Sequence, residues 1–162
     1  MNRKPRQAGA VLVESTVTII VLFTILFGIL EFGRAFKNYQ VMTDAAREGA
    51  RFSVAPDAAA AYAVPSSSAV STYVSNYLNA GSVRGTTVTV DCVYAPGSPA
   101  PNLTFCPAGA TATQDNTLPK APNQNPIYTR VTVSRPYTFI FFPFSITMST
   151  KAVMRNENQG LS

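Results

Sequence analysis

The chain has no histidine, no tryptophan and only two cysteines among its 162 residues. Without histidine the usual general base is missing, so Ser-His-Asp and Cys-His arrangements are excluded. Two cysteines cannot complete a zinc shell without histidine, and neither a Gly-rich phosphate cradle nor a metal-ligand spacing is present. Acids are sparse as well: beyond the N-terminal half and its linker only Asp91 and Asp115 occur before Glu157. This composition supports no enzyme, no cofactor, no metal site and no small-molecule substrate.

The net charge of +5 invites a nucleic-acid reading, but three of the thirteen basic residues (Arg3, Lys4 and Arg6) crowd the first six positions. The later Lys and Arg residues are scattered, whereas nucleic-acid affinity comes from clustered phosphate contacts. No nucleic-acid partner is expected. The leading charges match the positive-inside rule, which keeps the N-terminus cytoplasmic and sends the remainder across a membrane.

What the chain does have is one long apolar run. Ala10 to Leu30 carries a single charge, Glu14. Its length of about 21 residues at 1.5 Å rise crosses a hydrocarbon core of about 30 Å. A secretory signal peptide would have a shorter, uncharged run with its small-residue site after it. Here Gly9 precedes the run and Glu14 sits inside it. The reading is a leader over 1–9, then a retained membrane and stalk helix over 10–55.

Beyond the membrane the apolar residues Phe32, Phe36, Tyr39, Met42, Ala46, Gly49 and Phe52 recur at helical spacing. Charge pairs three residues apart (Glu31 with Arg34, Asp44 with Arg47, Glu48 with Arg51) support a continuing helix, and Pro56 ends it. Ala58–Ala63 reads as linker. A second helix is expected over Ser66 to Tyr77, capped by Ser66 and apolar along Val70, Tyr73, Val74 and Tyr77. Alternation predicts strands over Thr86–Tyr94, Ile127–Ser134 and Phe144–Met154. Between the first two, the stretch 95–126 holds seven of the twelve prolines and reads as irregular. The fold class is therefore α+β: a long N-terminal transmembrane and stalk helix, a short second helix, and a small three-stranded antiparallel sheet. The extracytoplasmic domain covers 56–162.

Several residues carry two readings each. Cys92 and Cys106 fall in the part placed outside, where oxidising conditions favour a disulfide; two half-buried thiols are the alternative. Gly49, among alanines, is either part of a solvated helix face or a close-packing patch for the sheet or another subunit. Gly28 offers helix–helix contact or nothing. The run Tyr137–Phe144, with Phe139, Phe141 and Phe142, either covers the inner face of the sheet or leaves a patch that meets a neighbouring subunit.

The combination Gly9, Ala10 and Glu14 resembles the N-terminus of type IV prepilins, in which a leader ends in Gly and Glu is the fifth residue of the mature chain. More narrowly, the chain resembles TadE-like proteins, pseudopilins or minor pilins of bacterial tight-adherence (Flp/Tad) pili. Leu30-Glu31-Phe32-Gly33-Arg34 and Asp44-Ala45-Ala46-Arg47-Glu48-Gly49-Ala50-Arg51 carry that match. Val131-Thr132-Val133, the aromatic run and Ala152-Val153-Met154-Arg155 look similar too. The resemblance implies a pilin-like protein of the bacterial inner membrane, or of the surface pilus, cleaved after Gly9 by a prepilin peptidase. Its partners would be other pilin subunits and Tad assembly proteins. Cleavage would leave an ammonium on Ala10, and a carboxylate four residues on can pair with it, in the same chain or the next subunit. A Glu14 that only snorkels to headgroups is the alternative.

Overall fold

A computed structural model describes residues 6–55, 64–96, 105–118, 126–141 and 144–156, with backbone alone for 6–8. The leader before Arg6, the Ala58–Ala63 linker and Phe142 lie outside the described residues. Helix α1 runs unbroken over Arg6–Val54, about 74 Å at 1.5 Å per residue. It passes through Gly9 and so begins earlier than the start at residue 10 expected from the sequence. One glycine costs a helix only about 1 kcal/mol, and Gln7, Ala8 and Ala10 beside it are good helix formers. The far end matches the reading from Pro56: Ala55 leaves the helix, its N–H bonding the Phe52 carbonyl at 3.3 Å.

Helix α2 spans Ser67–Ala80. Ser66 caps it, its hydroxyl accepting the Ala69 N–H at 3.2 Å. Its buried side is Val70, Val74 and Leu78. Tyr73 and Tyr77, expected on that side, lie at its edge, 37 % and 42 % exposed, with the Tyr73 ring stacked on Phe52 at 4.5 Å, while Leu78 takes the inward position. The C-terminus closes through the Val83 N–H on the Leu78 carbonyl, with Ser82 at φ +62°. Gly81 leaves that left-handed position to its neighbour because it abuts α1: an added Cβ there would press on Val41 Cγ1.

The sheet corrects the sequence reading. It has four strands, not three: β1 (Thr87–Tyr94), β2 (Thr111–Gln114), β3 (Ile127–Thr138) and β4 (Ser145–Arg155), in the order β2-β1-β3-β4. β1, β3 and β4 pair antiparallel as expected, with Val90 opposite Val131 and Val131 opposite Ala152. β2 pairs parallel to β1, Asp91 opposite Thr111, so the sheet is mixed. It lies inside the stretch read as irregular and is exposed along its whole length, so no apolar alternation announces it. β3 also runs past Ser134 into the aromatic segment. β1 ends opposite Ser134, so the missing N–H of Pro136 costs no ladder bond on that side.

The core lies between α1, α2 and one face of the sheet. Met42, Ala45, Ala46 and Ala50 of α1 meet Val70, Val74 and Leu78 of α2, and Val90, Val131, Val133, Tyr137 and Met148 of the strands. The small residues of α1 let backbones approach. An added Cβ on Gly49 would overlap Val74 Cγ2 and lie 3.5 Å from Val131 Cγ1. A second cluster, Cys92, Cys106 and Ile127, packs under Phe105 and Ala110.

Candidate membrane anchor and assembly face

Among the described residues the N-terminal half of α1 touches almost nothing of its own chain. Helix Gly9–Val54 is long and apolar enough to cross a membrane, and its most apolar stretch has no part buried inside the molecule. A buried core helix of the same composition would be covered. Its three threonines are satisfied within the helix: Thr16, Thr18 and Thr24 each donate to the carbonyl four residues back at 2.8 Å. Such back-bonding makes threonine tolerable in hydrocarbon.

Ala10 and Glu14 stand one turn apart on this exposed surface, as i and i+4 residues on one face. Among the described residues nothing packs against Gly9 or Gly28: a Cβ at either would meet no atom within 4 Å beyond its own stretch of helix. Gly49 is the opposite case. It is enclosed by α2 and β3, so the patch of small residues serves the chain's own sheet and second helix.

At the level where α1 leaves its apolar stretch sits a group that the sequence showed only as half of a helix-surface charge pair. Glu31 is 2 % exposed. Its Oε1 accepts the Tyr137 hydroxyl at 2.8 Å, and its Oε2 lies 3.8 Å from Arg34 Nη1 with no hydrogen bond. Burial, then the bond to Glu31 and its charge, push the Tyr137 phenol above its ordinary 10.0, against the opposing pull of Arg34 and Arg135. The apolar stripe expected through Phe32, Phe36 and Tyr39 is exposed; at this level the domain side of α1 carries Glu31 and Ala35 instead. Further toward the C-terminal end of α1 the stripe holds, with Met42, Ala46 and Gly49 buried.

The aromatic run descends along α1. Tyr137 meets Glu31, Phe139 is half-buried against the core and sits edge-on to Tyr137 at 5.1 Å, and the Phe141 ring stacks on Phe27 at 4.3 Å. Alternate rings turn toward the helix. Ile140 and Phe144 stay exposed.

At the far end of the sheet, Arg130 ties three strands together. Its Nη2 bonds Asp91 Oδ2 at 3.1 Å across β3 and β1, and its Nη1 reaches Asp115 Oδ2, just past β2, at 3.2 Å. The Thr117 hydroxyl and N–H, and then Arg130, hold the Asp115 carboxyl below the usual carboxylate range. Cys92 and Cys106 are joined as a disulfide with Cα atoms 5.7 Å apart. Among the described residues no cluster of His, Cys, Asp or Glu could hold a metal ion.

A family model described as TadE-like protein matches residues 9–51. Comparison with curated proteins and with solved structures gives no match.

Proposed function

We propose, from the TadE-like segment at residues 9–51, that this chain is a membrane-inserted pseudopilin or minor pilin that takes part in assembling a tight-adherence pilus. The observation that carries the reading is the uncovered apolar half of one continuous helix, which continues into a folded domain. A helix that its own chain leaves bare must be covered by lipid first and by neighbouring helices after assembly. Cleavage after Gly9 by a prepilin peptidase would free an ammonium on Ala10 one turn from Glu14. That carboxylate then sets the register between subunits, and Gly28 offers a close approach on the bare helix surface. The outer faces of Phe139 and Phe141 complete the contact between neighbours, together with Phe142. The role is structural: adhesion, biofilm formation or secretion through the pilus, with the domain on the periplasmic or extracellular side.

One observation favours a second reading, an uncut single-pass scaffold of the assembly machinery. α1 runs helically through Gly9, so a peptidase would have to unwind that turn before cutting; glycine lowers the cost of doing so. Sequencing the N-terminus of membrane-extracted protein decides between them. A chain starting at Ala10 supports the pilin, and an intact leader supports the scaffold. Glu14→Val should leave processing intact and abolish recovery of the protein in sheared surface material; normal recovery would refute the charge-pair role.

A further inference from the structure

Phe141 belongs to the sheet domain, yet it lies beside the apolar half of α1. Its partner Phe27 precedes Glu31 by four residues, about 6 Å of axial rise. Between the β3–β4 tip and the helix runs a groove of about 370 Å³, lined by Ile19, Ile20, Phe23, Thr24, Phe27 and Phe141. It is apolar apart from one threonine, whose hydroxyl is satisfied by its own helix. Ile140 is 62 % exposed and Ile146 45 %, a surface continuous with the bare side of α1. The charged groups begin directly above. Glu31 is closed off by Tyr137, Arg34 is largely exposed, and both Arg34 and Arg135 act electrostatically on Tyr137. Apolar tip, then phenol, then guanidinium is the order that the outer face of a bilayer imposes on side chains.

We infer that the β3–β4 tip is a second membrane contact. Ile140 and Phe141 enter the outer leaflet beside the anchor, a lipid acyl chain fills the groove, and Arg34 and Arg135 face the headgroup phosphates. The inference rests on the reading of α1 as membrane-spanning and concerns the chain before assembly. One anchor alone leaves a domain free to tilt and rotate. Two contacts at different azimuths hold it in one orientation against the membrane, with Glu14 and Gly28 left open on the helix surface. The tip would leave lipid only when the subunit is withdrawn from the bilayer.

The absence of tryptophan makes a direct test possible. Full-length protein carrying Phe141→Trp is placed at low protein-to-lipid ratio in phosphatidylcholine/phosphatidylglycerol vesicles with bromine at shallow or deep acyl positions. The introduced indole should emit to the blue, lose most of its intensity to shallow bromines, and resist aqueous acrylamide. Ile140→Trp repeats the measurement at a side chain that is already exposed, so the Phe27 stack is undisturbed. Leu22→Trp reports on the anchor and should be quenched by deep bromines. Quenching at position 22 with acrylamide access at 140 and 141 overturns the tip contact and leaves the anchor standing. Acrylamide access at all three overturns the anchor reading itself. Shielding of 140 and 141 from both quenchers, growing with protein-to-lipid ratio, would assign the tip to a second copy of the chain and also overturn the proposal.

Discussion

Glu31 and Tyr137 form a buried polar contact where the membrane-length part of α1 gives way to the part that supports the domain. A carboxylate at 2 % exposure is costly unless its oxygens are bonded. Here one oxygen has the phenol and the other only a distant guanidinium. Tyr137→Phe keeps the ring and removes the donor, so it should destabilise the domain by about 1–3 kcal/mol, read as a lowered urea midpoint with an unchanged slope. The same pair gives a pH dependence. The phenol is held above 10.0 in the fold, so folding favours its neutral form. That contribution is complete below the unfolded value of about 10 and disappears as pH rises through the folded one. Wild-type protein should therefore lose stability more steeply above about pH 10 than Tyr137→Phe does. Ser82 makes the complementary case. It holds φ +62° because Gly81 is occupied by its approach to Val41, so Ser82→Gly should stabilise the fold by up to about 1 kcal/mol, read as a higher urea midpoint.

At the scale of elements, the parts legible in the sequence are those whose partners lie along the same segment. The apolar run of α1, the Ser66 cap and the alternation of Ile127, Thr129, Val131 and Val133 each follow from local period and sterics, and these strand residues are all buried as expected. β2 is different. Thr111–Gln114 is exposed at every residue and is a strand only because β1 lies beside it, Arg130 holds Asp115, and Cys106 is tied to Cys92. None of those constraints has a period. Glu31 escaped for a related reason: its spacing to Arg34 fits a surface pair, and only the return of β3 past Ser134 buries it. Removing the tie should therefore act locally. Cys92→Ser with Cys106→Ser is expected to cost about 3 kcal/mol. In hydrogen exchange, the amides of residues 111–115 should lose protection well before those of β3 and β4.

The whole molecule is a helix about 74 Å long with a domain wrapped around only one half of it. Among the described residues every buried side chain lies from Glu31 onward, and the contacts between α1 and the rest of the core start there. The N-terminal half of α1 thus contributes little folding energy to the domain, apart from the Phe27–Phe141 stack. A fragment beginning at Leu30 should fold on its own: same disulfide, same near-ultraviolet spectrum, and a Tm within several degrees of the detergent-solubilised full chain. It should also expose Ile140, Phe141, Phe144 and Ile146 to water without the helix or lipid beside them, an apolar patch that favours association. The fragment should accordingly bind detergent micelles or self-associate at high concentration, and Phe141→Ser should weaken that behaviour while leaving Tm nearly unchanged. Were the fragment unfolded instead, the apolar half of α1 would be part of the folding unit, and the division between anchor and domain at Glu31 would be wrong.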